Sequence, residues 1–287
     1  MPVAIVIDSS SSLPADLLAR YDITVVPLLI HIAGREYRDG VDISVSEFYR
    51  QFGRTAKTPT TATPGPTRFL EAFQRRAAEG KEIVCLCLPS GFSSVHESAV
   101  QAAQAAPEIP VTVIDLPTAA GGAALIVLAA ARAAERGATR DQISSLVERL
   151  GPKVRLCAML DTLAFLRRSG HVRSLPALAT SLLDIKPIFT VEKGVARPYA
   201  NVRTKRRALE RLLSSMNGDL SAAARGHAAV MHANAQADAE YLRAEVLRRH
   251  PSVEVIITEF TPVMGAHTGP GVLGIAYYAA NGEEPAS

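Results

Sequence analysis

The chain has 287 residues, 48% of them hydrophobic and 21% charged, which is apolar content enough for one large domain or two of ordinary size. Its 31 basic and 28 acidic side chains leave a net charge of +3, too even a balance for a protein that holds nucleic acid mainly by neutralising phosphates. The absence of Trp argues against base-stacking surfaces, whereas a small anionic ligand is compatible with the composition.

The apolar run at residues 3–7 lacks the basic leader and cleavage pattern of a signal peptide, so export is not expected and a cytoplasmic setting is. It opens a series of β-branched strand candidates, 3–7, 24–32, 83–88 and 111–114. Helical spacing at 44–52, 66–78, 94–105 and 122–136 alternates with them, and Gly137 is placed to stop the last. This alternation predicts parallel strands with crossover helices, an open, Rossmann-like α/β domain over residues 1–150. Three strand ends run into hydroxyl-rich turns, 8–12, 90–94 and 115–118, and the crevice beyond such ends is where ligands bind. The stretch 119–134 is the most apolar, but Arg132 interrupts it and it falls short of a spanning length; it reads as a buried helix, with no stable membrane insertion.

From residue 141 the pattern changes. Helices are expected at 142–150, 162–169, 175–183, 205–216 and 237–250, and strands at 154–159, 185–191, 196–202, 228–232, 253–260 and 274–278. Lys193-Gly194 supplies the turn of a hairpin. These elements predict a second, α+β domain with a mixed sheet over 151–287, its last residues 281–287 frayed. Cys85, Cys87 and Cys157 read as small buried hydrophobes with no disulfide, and His31, His96, His171, His227, His232 and His250 sit singly, so neither a metal nor a cofactor is expected.

Three loops carry candidate chemistry. Gly265-Ala266-His267-Thr268-Gly269-Pro270-Gly271 sets one imidazole among residues that let main-chain N–H groups approach an anion, with His267 and Thr268 as side-chain donors; a tight structural turn is the alternative. Residues 58–66, TPTTATPGP, present Thr60, Thr61 and Thr63 on a backbone stiffened by proline, unless they form a rigid connector. Ser93 and Ser94, after the strand at 83–88, face an anion together with the first amides of a helix, or else cap that helix. Asp8 either orients hydroxyls of residues 9–12 or satisfies their amides. Arg203-Thr204-Lys205-Arg206-Arg207 concentrates positive charge before a helix, suiting a phosphate, an acidic partner or solvent.

Two enzyme patterns come close. Gly91-Phe92-Ser93-Ser94-Val95 misses the nucleophile-elbow pattern by one residue, and Asp115 or Asp161 and then His267 follow in hydrolase order. A serine hydrolase or esterase using Ser93 and His267 is therefore the alternative function. Gly269 to Gly274 matches the dinucleotide fingerprint as letters only, since too few residues follow for the helix, strand and acidic residue it requires.

Asp8-Ser9-Ser10, Val26-Pro27-Leu28, Tyr37-Arg38-Asp39-Gly40, Pro59-Thr60-Thr61 and the Ser90 to Ser94 loop with Ser98-Ala99 occur in an order and spacing that resemble the DegV family of bacterial fatty-acid-binding proteins. Leu160-Asp161-Thr162-Leu163, Ile185-Lys186-Pro187, Val202-Arg203-Thr204-Lys205 and the 267–271 segment extend the resemblance over nearly the whole chain. The resemblance implies a fatty-acid carboxylate held by Thr61 and Ser93, with His267 nearby and Thr60, Ser94, Thr268 and Arg203 as further ligand-binding candidates, at the interface of the two domains. The acyl tail would run into the second domain, where the apolar positions around 175–183 and 185–189 either wall such a tunnel or serve equally well as ordinary core packing. It further implies a non-catalytic subunit that presents the fatty acid to a separate ATP-dependent kinase, which makes an acyl phosphate for phospholipid synthesis. Arg203 would lie near the head group or product phosphate, with Lys205, Arg206 and Arg207 toward the kinase. The chain departs from the family at Ala62-Thr63-Pro64, where Ser-Gln-Pro is common, and at Gly170-His171, where Gly-Arg is usual.

Overall fold

The computed structural model describes residues 1–52, 58–169, 185–220 and 225–280, with the side chains of 167–169 outside the description. The expected helix at 175–183, the Gly170-His171 pair and the end at 281–287 lie outside the described residues. The strands are β1 (Val3–Asp8), β2 (Thr24–Val26), β3 (Leu29–Ile32), β4 (Arg35–Arg38), β5 (Thr60–Ala62), β6 (Glu82–Cys87), β7 (Val111–Asp115), β8 (Arg155–Met159), β9 (Lys186–Glu192), β10 (Val195–Val202), β11 (Gly226–His232), β12 (Val253–Glu259) and β13 (Leu273–Ala279). The helices are α1 (Ala15–Arg20), α2 (Val45–Phe52), α3 (Pro66–Ala78), α4 (Val95–Ala105), α5 (Ala120–Glu135), α6 (Arg140–Leu150), α7 (Ala164–Ser169), α8 (Lys205–Ser215), α9 (Asn217–Leu220), α10 (Gln236–Arg249) and α11 (Pro262–Thr268).

The β-branched runs of the first half pair as a parallel sheet of order β2-β1-β6-β7. The second half builds a mixed sheet, β10-β9-β8-β13-β11-β12, in which β11 and β12 are parallel and the other neighbours antiparallel. Residues 24–32, expected as one strand, are split: Pro27 has no N–H with which to continue a ladder, so β2 joins the parallel sheet and β3 leaves it. β3 instead forms a small antiparallel sheet with β4 and β5, neither of which the strand signals of the sequence disclosed.

The helix α5 joins the two large sheets. Residues 120–131 and Ala133 are all buried, and the helix packs on β1 of one sheet and on β11 and β13 of the other. Its Ala and Gly side permits that double contact; a Cβ at Gly121 would come within 2.6 Å of Met231. One apolar cluster therefore runs from Ile5 and Leu86 through α5 to Ala229 and Ala276, while a second fills the other face of the mixed sheet beneath α8 and α10. Among the described residues no helix is long and apolar enough to cross a membrane.

Candidate functional site

A cavity of about 380 Å³ opens where the segments just after β2 and β6 and the start of α5 face the β8–β10 side of the mixed sheet. Its walls are apolar: Leu28, Leu88 and Phe92 on one side, Leu156, Ala158, Ile188, Phe189 and Val191 on the other, with Leu163 just before α7 and Leu166 within it. None of the described lining residues is Asp, Glu, Lys or Arg. Such a space favours a ligand that is mostly hydrocarbon, because each buried methylene contributes about 0.8 kcal/mol without a directional contact.

Polar groups converge in one part of the lining. β5 pairs Thr61 with Ile30 of β3, and Thr61 Oγ1 lies 2.9 Å from His267 Nε2 of α11. Two residues on, Thr63 Oγ1 lies 2.9 Å from Ser93 Oγ and accepts from Ser94 Oγ at 3.2 Å. The hydroxyls form a directed chain: if Ser94 donates to Thr63 and Thr63 to Ser93, the Ser93 hydrogen is left for a ligand oxygen. Likewise, an imidazole protonated on Nε2 donates to Thr61 and leaves the Thr61 hydrogen for the same purpose. Ser94 stands at the N-cap of α4 yet makes no side-chain cap bond, so its hydroxyl serves the site rather than the helix.

Buried carboxylates hold these loops. Asp8 Oδ1 accepts from Ser10 N and from the Ser10 hydroxyl, and its Oδ2 accepts from Leu88 N at 2.7 Å, tying the end of β1 to the end of β6. Both sequence readings of Asp8 thus hold, and it adds a cross-strand tie. Asp39 accepts from Ser9 Oγ at 2.6 Å and from Val263 N at 3.1 Å, while Ser9 Oγ accepts from Leu28 N. Val263 is in the first turn of α11, so Asp39 caps from afar the helix that carries His267. Burial raises the Asp8 carboxyl and pushes the Asp39 carboxyl up to about 6. Asp115, at the end of β7, receives Ser90 N and Ser90 Oγ and so pins the loop that carries Ser93.

The structure brings Thr61, Ser93, Ser94, His267 and Thr268 to one cavity and leaves Thr60 and Arg203 out of its lining. Thr60 alternates with Thr61 on β5, pairs with His31 and is exposed; Arg203, at the end of the β10 ladder, is exposed. Thr268 is present, but its hydroxyl donates to Met264 O within α11, which spends its hydrogen. The anion-cradling backbone expected at 265–271 is not formed. The segment is half helix, and the amides of Gly269 and Gly271 are taken by Gly265 O and Ala233 O. The serine triad is not assembled either: Ser93 bonds Thr63, His267 Nε2 bonds Thr61, and Asp115 and Asp161 bond Ser90 and Lys186. Ser93 also lacks the positive φ that strains a nucleophile elbow.

Sequence reasoning missed Asn201, Met231, Phe260 and Met264 of the lining. Met231 and Phe260 carried no local signal, because their place depends on the order of strands in the mixed sheet.

A family model described as an uncharacterised protein of the DegV family matches residues 2–280. A DegV domain-containing protein of Streptomyces coelicolor is 36% identical over 275 residues, 95% of this chain and 97% of that one. The protein DegV of Bacillus subtilis is 28% identical over 278 residues, 96% of this chain and 99% of that one. Among solved structures, a fatty-acid-binding DegV family protein of Thermus thermophilus superposes with a TM-score of 0.91 at 31% identity, covering 97% of this chain and all, 100%, of that one. The fatty-acid-binding DegV of Bacillus subtilis gives 0.90 at 28% identity, covering 97% and 99%.

Proposed function

The chain belongs to the DegV family, and we propose that it binds one long-chain fatty acid in the cavity and presents it to a separate kinase, without catalysing a reaction alone. The observation that carries this reading is the joining of apolar walls to one cluster of hydroxyls and an imidazole in a single cavity of about 380 Å³. The known fatty-acid binding of the two structural relatives supports it. Thr61, Ser93 and His267 hold the carboxylate, with Thr63 and Ser94 orienting the Ser93 hydroxyl, and the acyl tail lies along β8 and β9. We read residues 1–150 and 151–287 as the two units that enclose the ligand.

The chemistry assigned to the partner is phosphoryl transfer from ATP to the bound carboxylate, giving an acyl phosphate and ADP for phospholipid synthesis in the cytoplasm. Arg203, Arg206 and Arg207 are exposed at the entry to α8, where they suit an acidic partner surface or the product phosphate. Calorimetric titration of the delipidated protein with a long-chain acid and its methyl ester tests the binding step. The acid is expected to bind much more tightly than the ester; equal affinity would remove the polar cluster from the account.

A further inference from the structure

We propose that Met231 sets the acyl-tail preference of the cavity, an inference that rests on the fatty-acid reading above. Met231 projects from β11 into the cavity lining and is fully buried. Its surroundings there are unusually small. Gly274 lies opposite it on β13, Ala158 lies opposite Gly274 on β8, and Ala119 and Ala120 come from the start of α5. In this part of the wall Met231 is the long side chain among glycines and alanines, so the space left to a ligand is what the thioether does not fill.

Two glycines hold it in place. A Cβ on Gly121 would stand 2.6 Å from Met231 Cγ and 2.8 Å from its Sδ, and a Cβ on Gly274 would stand 2.6 Å from its Cε. The Gly121 amide donates to the sulfur at 3.2 Å. The side chain therefore lies along both glycines, fixed by a hydrogen bond at its middle and by close packing at its end. Methionine is unbranched and adaptable, so a modest push on it changes the cavity shape without disturbing the strand.

The geometry gives two substitutions with opposite effects. Met231→Ala removes three side-chain atoms beyond Cβ and enlarges the cavity. Gly121→Ala places a methyl group 2.6–2.8 Å from Cγ and Sδ, too close for both to stay, and drives the side chain toward the ligand space.

The test is a series of dissociation constants of the delipidated protein for saturated acids from about twelve to about twenty carbons, with Met231→Val as a milder truncation should Met231→Ala not fold. Met231→Ala is expected to bind acids two carbons longer than the wild-type optimum about tenfold better relative to that optimum, as two further buried methylenes allow. Gly121→Ala is expected to move the optimum to shorter acids. A wild-type optimum retained in folded, tightly binding variants overturns the inference. Failure of the wild-type protein to bind any of the acids overturns the fatty-acid reading itself, which is a separate outcome.

Discussion

Thr61 and His267, 206 positions apart in sequence, meet through a 2.9 Å hydrogen bond between Oγ1 and Nε2. The contact joins the small sheet to α11 and fixes both side chains in the cavity lining. Removing either hydroxyl of the polar cluster leaves a buried carboxylate with one donor fewer. Thr61→Val and Ser93→Ala are each expected to weaken fatty-acid binding by about 1–3 kcal/mol, with little change in melting temperature. Calorimetry checks both, and unchanged affinity in both variants would place the head group elsewhere.

Gly269 has φ 76° and ψ 175°, a conformation almost confined to glycine, and a Cβ there would run into the ring of Phe165. Phe165 in turn packs on Phe52 at 4.9 Å between ring centroids, and its helix supplies Leu166 to the cavity. Gly269→Ala is expected to destabilise the protein by about 2–4 kcal/mol and to weaken ligand binding. Gly137→Ala is the control: its φ of 80° is also positive but nothing lies within 4 Å, so only the backbone cost of about 1–2 kcal/mol applies. Equal melting points for the two variants would contradict the Phe165 contact.

Asp39 is buried with its carboxyl pushed up to about 6, against 3.8 for the free group. The folded protein thus keeps this proton in a pH range where the unfolded chain has lost it. Stability from this group is full below about pH 4 and falls as pH rises to about 6, by about 3 kcal/mol at 1.36 kcal/mol per pH unit. Asp39→Asn keeps an acceptor for Val263 N and removes the titration. Denaturant unfolding from pH 4 to pH 7 should show the wild-type protein losing stability relative to this variant. Parallel curves would refute it.

Charge reversal at Arg206 and Arg207 is expected to leave fatty-acid affinity unchanged, since neither residue lines the cavity, and to slow kinase-dependent acyl phosphate formation. Radiolabel transfer from ATP measures the second effect. Undiminished phosphorylation would remove these residues from the partner surface.

The three thiols are buried and free, and Cys85 Sγ and Cys87 Sγ share a thiol hydrogen bond at 3.7 Å. The neighbouring Cys85 and burial raise the Cys87 thiol, and burial pushes Cys157 up to about 12. A thiol reagent at pH 8 should therefore label none of them in the native protein and all in denaturant. Rapid native labelling would contradict the packing of β6.

Much of this fold was legible because local rules and tertiary packing agree in it. Pro66 opens α3 where a helix tolerates proline, and the alternation of β1, α3, β6, α4 and β7 admits only a parallel sheet. The split at Pro27 and the three-residue β5 between prolines were hidden, because so short a run has no periodicity to read. Thr61, Ser93, His267 and Thr268 were nameable as polar groups near the site, but the turn of the Thr268 hydroxyl back to Met264 O was not, because the helix that contains both is too short to show a period. Met231 and Asp39 act through partners more than a hundred positions away, Gly121 and Val263, and such distances leave no mark on local pattern.

The central claim is tested most directly by native mass spectrometry of the purified protein, followed by solvent extraction and identification of what is released. A long-chain fatty acid at near one-to-one ratio is the expected result. A protein that is empty as purified and takes up no added fatty acid would contradict it.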